Sequence, residues 1–258
     1  MPNLSINPEK ETQKIVDFLR SSLQKTPFKK VIVGLSGGVD SATVTFLAIK
    51  ALGKENVHIV QLPHGEMAKG GLTKSQSLVD YLNIPKDIVH KIDIKPFIDQ
   101  ISGTDKAIDQ IRLGNIMARI RMIFLFDLAK KYKALVCGTE NRTEHLLGYF
   151  TRFGDEASDI EPIRHLYKTQ VKQLAMYLNT PQEIIDAVPS AGLWPGQTDE
   201  GEFGFSYKDA DQILSLHFDQ KLKKEEIIEK GFKPDLVDKV LKRVGDNRFK
   251  HELPFQLD

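Results

Sequence analysis

The chain holds one cysteine in 258 residues, Cys137. A single thiol excludes an internal disulfide framework and suits a reducing compartment. Charge is as sparing: 36 basic and 35 acidic residues leave a net +1, without the basic footprint that nucleic-acid binders usually show. No apolar run approaches the ~20 residues needed to cross a bilayer. The opening stretch, MPNLSINPEKETQ, lacks the charged-then-apolar order of a secretory signal. These absences predict a cytoplasmic protein with no membrane and no nucleic acid as partner. The length allows one large α/β domain or two small ones, with enough apolar content for a substantial core.

Two common nucleotide-binding signatures are missing as well. No G-x-x-x-x-G-K-[ST] loop occurs, and the third glycine of a dinucleotide fingerprint is lacking. Residues 31–50 instead read VIVGLSGGVDSATVTFLAIK. A short apolar β-type run breaks into Ser36-Gly37-Gly38-Val39-Asp40-Ser41 and resumes with helical spacing. A glycine pair and two hydroxyls thus fall between a strand end and a helix start, where unpaired N–H groups and the helix dipole favour an anion. The glycines permit close backbone approach or a positive φ. A tight turn with a serine cap would account for a glycine pair alone. The order hydroxyl-Gly-Gly-x-Asp-hydroxyl favours phosphate. The stretch resembles the SGGxDS pyrophosphate loop of the N-type ATP pyrophosphatases, the PP-loop enzymes. In that superfamily the loop holds the β- and γ-phosphates of ATP while chemistry occurs at the α-phosphate.

An amphipathic helix is expected over 8–25, with Asn7 as cap and Pro8 in its first turn. Strand-like runs follow at 30–35, 57–62, 88–94 and 134–138. Helical patterns separate them at about 41–52, 73–83 and 105–132, with Thr73 and Gln76 as a capping box for the second. The alternation predicts an α/β fold: a doubly wound, Rossmann-like parallel sheet with helices on both faces and ligands at the carboxyl ends of the strands. The loop at 36–41 lies at one such end and Gly138-Thr139-Glu140-Asn141 at another. Residues 63–72 and 187–205 look irregular, and each fits a lid or a plain connection equally well. From Ser206, with Asp209 as capping partner, short Lys- and Glu-rich helices are expected, their charges on a solvated face. The whole reads as one domain over 1–258, a PP-loop core with a C-terminal helical segment.

Two further regions carry candidate chemistry. In Leu113-Gly114-Asn115-Ile116-Met117-Ala118-Arg119-Ile120-Arg121-Met122 the two arginines point to different sides of a helix. A surface arginine is ordinary, but two beside small residues in an apolar helix suggest that one reaches an anion. In 138–144, GTENRTE, Glu144 lies just past a strand end, placed to hold Mg²⁺ with Asp40; alone it would pass as a helix-start carboxylate. Together the blocks resemble the ammonia-dependent NAD synthetases. The match runs from near Ser36 to Pro254 through GLSGGVDS, GNIMARIRM, GTENRTE, GYFTRFGDEASDIEPI, the Tyr167-Lys168-Thr169 step and PSAGLWPGQTDEGEFGFSY.

That resemblance implies ATP-dependent amidation of deamido-NAD. ATP adenylates the nicotinate carboxylate with release of pyrophosphate, and ammonia then displaces AMP to give NAD. No side-chain nucleophile is needed. By position, Gly34, Leu35, Ser36, Gly37, Gly38, Val39, Asp40 and Ser41 would form the ATP phosphate loop, with Thr139, Lys168 and Ser190 as further ATP contacts. Asp40 and Glu144 would hold Mg²⁺. Arg119 first and Arg121 second, with Arg152, Asp159 and Lys250, would contact deamido-NAD. Arg152 stands where many members have lysine, Phe249 where several bacterial members have histidine, and Ser190 where threonine is frequent.

Glutamine-using relatives carry an amidase domain with a nucleophilic cysteine. This chain has no room for one, and Cys137 reads as a buried strand thiol, so free ammonia or ammonia from a partner is expected. Family members form homodimers whose deamido-NAD site spans the interface. The 105–132 helix, with Ile111, Ile116, Ile120 and Phe124, could supply that surface or ordinary core. The competing readings are another PP-loop ligase (GMP-synthetase-like or tRNA-thiolating) and a non-catalytic nucleotide-binding module. Thiolation calls for extra cysteines or a tRNA surface. A non-catalytic module predicts loss of the metal carboxylates, yet both are present.

Overall fold

A computed structural model describes residues 2–65 and 69–252. In chain order the elements are α1 (Pro8–Gln24), β1 (Lys30–Gly34), α2 (Val39–Leu52), β2 (Val57–Gln61), α3 (Lys69–Tyr81), β3 (Val89–Lys91), α4 (Lys95–Ser102), α5 (Gln110–Tyr132), β4 (Ala134–Cys137), α6 (Arg142–Leu147) and α7 (Lys168–Tyr177). A C-terminal set follows: α8 (Gln182–Ile185), α9 (Asp199–Phe203), α10 (Tyr207–Leu214), α11 (Lys224–Glu229) and α12 (Pro234–Asn247).

The four strands form one parallel sheet in the order β3-β2-β1-β4. Val33 of β1 registers with Ile59 of β2 and Cys137 of β4. Strand side chains alternate between faces, and the buried clusters follow that alternation. Val31, Val33, Val57 and Ile59 pack beneath α1, α2, α3 and α7, while Ile32, Val60 and Val136 pack beneath α5. Helices on both faces make this the doubly wound arrangement expected from the sequence. It places the ends of β1 and β4 side by side.

Where caps are local, the expected boundaries hold. Asn7 accepts from the Lys10 N–H at 3.0 Å to start α1, and Ser206 accepts from the Asp209 N–H at 3.1 Å to start α10. Four boundaries differ. The second crossover helix begins at Lys69, so Thr73 lies inside it and the Gln76 amide donates to Asp80 at 3.0 Å instead of closing a capping box. The third starts five residues late: Asp105 binds Arg112 at 2.7 Å, and Asp109, accepting from the Arg112 N–H at 2.8 Å, is the true cap of α5. Helix α4, at Lys95–Ser102, is one the sequence reading did not expect. The strand read at 88–94 spans only Val89–Lys91, because Pro96 starts α4 shortly after it. The stretch 187–205 contains α9, capped by Thr198. Residues 66–68 of the irregular stretch at 63–72 lie outside the described residues, as does Pro254.

The Lys- and Glu-rich C-terminal helices carry a buried stripe. Ile227, Val237 and Val240 join Phe203, Phe205, Tyr207 and Ile213 in a second core. Of the four apolar residues named on the long helix, Ile116, Ile120 and Phe124 pack with Ile94, Ile98 and Met117, and Ile111 is exposed. Among the described residues no helix is long and apolar enough to cross a membrane.

Candidate active site

The loop between β1 and α2 is braced by its own hydroxyls. Ser41 Oγ donates to Gly38 O (3.0 Å) and lies 3.1 Å from Ser36 Oγ, which accepts from the Gly38 N–H. The N-cap of α2 is Gly38, which has no side chain to occupy the first-turn N–H groups. Those donors and the helix dipole are arranged for an anion. Gly37 has φ +88°, and a Cβ there would stand 2.4 Å from Gly71 O. This loop therefore closes against the start of α3 through backbone alone.

Across the β1–β4 edge the loop meets α6. Asn141 caps that helix, accepting from the Glu144 N–H at 3.0 Å, while the Glu144 carboxylate accepts from the Asn141 N–H. The Asn141 amide also donates to Asp40 Oδ1 at 2.9 Å. Lys168 then joins both carboxylates: its Nζ lies 2.6 Å from Asp40 Oδ2 and 3.0 Å from Glu144 Oε1. Lys168 opens α7, and its N–H donates to Thr143 Oγ1, which in turn donates to the buried Asp211. The Thr169 N–H completes that carboxylate's partners.

The electrostatics follow from burial. Lys168 is 3% exposed; burial works against its charge, but Asp40 and Glu144 outweigh this and raise its pKa above the ordinary lysine value. Burial raises Glu144, which Lys168 opposes and Asp40 reinforces. Tyr207 OH donates to Asp199 Oδ2 at 2.8 Å, and its ring lies 5.0 Å from Lys168 Nζ. Among the described residues no group of three or more His, Cys, Asp or Glu is arranged to hold a metal. Two hard carboxylates beside a phosphate loop nevertheless suit Mg²⁺, which commonly takes one or two carboxylates and completes its shell with nucleotide phosphates and water.

The segment 187–205 reaches this centre through Asp199. Its Oδ1 accepts from the Ala191 N–H at 3.1 Å and lies 3.0 Å from Tyr149 OH. Ser190 itself is exposed, its Oγ accepting from the Gly192 N–H. A separate cleft of about 280 Å³ gathers Asn115, Arg119, Phe150, Arg152, Phe249 and Lys250. Arg119 donates to Arg152 O at 3.3 Å, and Lys250 Nζ donates to Gly148 O and Phe150 O at 2.7 and 3.0 Å. A larger cleft of about 530 Å³ opens beyond α6, lined by Phe18, Arg142, His145, Glu161, Arg164 and His165. It contains none of the expected site residues.

The NAD synthase family model matches residues 11–254. The chain belongs to the NAD synthase family. It is 41% identical over 254 residues to the NH(3)-dependent NAD(+) synthetase of Fusobacterium nucleatum subsp. nucleatum, covering 98% of this chain and 97% of that one. Among solved structures it is similar to an NMN synthetase from Francisella tularensis, at TM-score 0.86 and 32% identity over 98% of this chain and 100% of that one. It is equally similar in sequence to the NH3-dependent NAD synthetase of Campylobacter jejuni in complex with nitrate, at TM-score 0.83 and 32% identity over 98% and 100%.

In this chain the structure brings Asp40, Glu144 and Lys168 into one contact group and Arg119, Arg152 and Lys250 into one cleft. Thr139 is half-buried beyond β4. Arg121 points elsewhere, donating to Leu62 O at 3.3 Å. Asp159 accepts from the Val136 N–H at 2.8 Å and so satisfies the edge of β4. Sequence reasoning missed Asn141, Asp199, Tyr207 and Asp211. The N-x-x-E spacing at 141–144 signalled the first; no local spacing signals the others.

Proposed function

We propose that this chain amidates deamido-NAD with ammonia while ATP is cleaved to AMP and pyrophosphate. The observation that carries the reading is the meeting of the Ser36-to-Ser41 loop with Glu144 across the β1–β4 edge, joined by Lys168. Residues 34–41 bind the β- and γ-phosphates with first-turn N–H groups of α2, and Lys168 serves as a point charge for them. Thr139 and Ser190 contact the nucleotide. Arg119, Arg152 and Lys250, which share one cleft, hold deamido-NAD; Arg121 and Asp159 lie outside that cleft, bonded to Leu62 O and the Val136 N–H. A nicotinate carboxylate oxygen attacks the α-phosphorus, and the bond to pyrophosphate breaks. Ammonia attacks the acyl carbon, the bond to AMP breaks and nitrogen loses a proton. Mg²⁺, held by Asp40 and Glu144, would offset charge on the departing pyrophosphate.

The acting unit is a single domain over 1–258 that works as a homodimer in the cytoplasm. Exposed Ile111, Ile123, Phe97 and Ile101 on α4 and α5 support a self-association surface. Cys137 is buried, and burial lifts its thiol far above the reactive range, which is in keeping with ammonia as the direct nitrogen source. The likeness to an NMN synthetase supports a second reading, amidation of nicotinate mononucleotide. The test supplies purified protein with ATP, ammonium and one of deamido-NAD, nicotinate mononucleotide or xanthosine monophosphate, and scores AMP. Turnover with deamido-NAD to NAD, AMP and pyrophosphate is expected. Preference for the mononucleotide would establish the second reading, and ADP with phosphate as products would overturn adenylation.

A further inference from the structure

The Lys168 ammonium sits between the two carboxylates proposed to hold Mg²⁺, 2.6 Å from Asp40 Oδ2 and 3.0 Å from Glu144 Oε1. One cation is thus already where a second would go. We infer that Lys168 is the resident counterion of the Asp40–Glu144 pair, which a divalent metal must displace, and that its ammonium moves to a phosphate when ATP arrives. Metal and nucleotide then bind this chain together and each binds poorly alone. The inference rests on the Mg²⁺ reading of Asp40 and Glu144.

Three observations carry it. Lys168 is 3% exposed, so no bulk water stands ready to receive the displaced ammonium. Leaving a buried charge without a partner is strongly unfavourable, and a phosphate on the adjoining loop is the partner at hand. Asp40 lies in the first turn of α2, next to the Gly38 cap where the anion would sit, so the ammonium has a short way to move. Finally, the backbone at Lys168 is held in place, which leaves the side chain as the part that can move. The Lys168 N–H is held by Thr143 and the Thr169 N–H by Asp211, so the four-carbon stem carries the whole motion.

Occupancy by lysine lowers apparent metal affinity by the fraction of molecules in which the pair is free. Because binding couplings are reciprocal, the metal strengthens nucleotide binding by the same factor. The free enzyme accordingly leaves cellular divalent cations alone until ATP is present.

The test measures Mn²⁺ binding without nucleotide, by water-proton relaxation enhancement, on chains shown to be folded by circular dichroism. Lys168→Met removes the ammonium and keeps the length of the stem. Lys168→Gln still donates to one carboxylate and stands in if the methionine variant does not fold. Each folded variant should bind Mn²⁺ roughly ten-fold or more tightly than the unaltered chain, since a competing unit charge at contact distance is gone. Arg142→Met removes a neighbouring cation that pairs with Asp219 and touches neither carboxylate; it should stay within about two-fold, as expected for a charge outside the pair. Equal or weaker Mn²⁺ binding by the Lys168 variants overturns the inference. Mn²⁺ held by the unaltered chain with α,β-methylene-ATP, beside unimproved Lys168 variants, removes the inference and spares the metal reading. No Mn²⁺ in that ternary complex removes both.

Discussion

Glu140, one residue before the cap of α6, shows what burial does to a carboxylate near the nucleotide loops. Its Oε2 meets Arg164 at 2.7 Å and His145 at 3.3 Å, while the buried Oε1 has no partner among the described residues. Burial pushes its pKa up to about 8, against the opposing charge of Arg164. The folded chain therefore keeps a proton that the unfolded chain, with an ordinary value of 4.5, releases. Stability from this group is full below about 4.5, declines as pH rises and is lost above about 8. Glu161, pushed up to about 7 mainly by burial, adds a slope of the same sign. Thermal unfolding measured from acid to alkaline pH should show stability falling across this window. Glu140→Gln should flatten the fall by up to ~1.4 kcal/mol per pH unit, the amount one proton contributes. An unchanged slope would locate the proton elsewhere. At this scale Asp40, Glu144 and Lys168 were legible because they belong to short ordered blocks. Asp211 was not: it meets Thr143 across 68 residues, and nothing in either neighbourhood announces the pair.

At the scale of elements, the phosphate loop and α3 touch as two backbones. A Cβ on Gly37 would meet Gly71 O at 2.4 Å, and a Cβ on Gly71 would meet Ser36 O at 2.7 Å. Gly37→Ala therefore combines a positive φ with a backbone clash and should cost about 1–3 kcal/mol of stability, together with a several-fold rise in the KM for ATP. Gly70→Ala has open space around its Cβ and serves as the control. Steady-state kinetics and thermal unfolding on both variants decide the matter: matching behaviour would show that the contact is dispensable. α3 starts earlier than its pattern suggests, so that Gly71 falls in its first turn. Gly70 and Gly71 read as punctuation in a linear sequence, yet at this helix start they allow close approach to another loop. The strands and α1 were legible because their signals are local, an apolar run or a cap three residues from its donor. The start of α5 depended on Asp109 taking the cap in place of Asp105, a choice that two nearby aspartates leave open in the sequence.

The molecule as a whole buries two large apolar clusters, one beneath α1, α2, α3 and α7 and one among the C-terminal helices. On α5, Ile111 is 69% and Ile123 53% exposed, and the proposed homodimer is tested at these two positions. Ile111→Glu with Ile123→Glu should convert a dimer to a monomer in light scattering with size exclusion, with little change in helix content. A monomeric unaltered chain would contradict the homodimer. The parallel order was legible from the alternation of runs, but the pairing across the β1–β4 edge carries a further consequence, in time. Asp40 meets Asn141 across 101 residues and Lys168 across 128. Contacts so distant along the chain close late, since loop closure precedes their reward. During synthesis the phosphate loop is thus made early and its counter-charges arrive only after α7 has left the ribosome. Until then a nascent chain carries the recognisable signature and no working centre, so ATP meets a competent site only on a chain whose core has already formed.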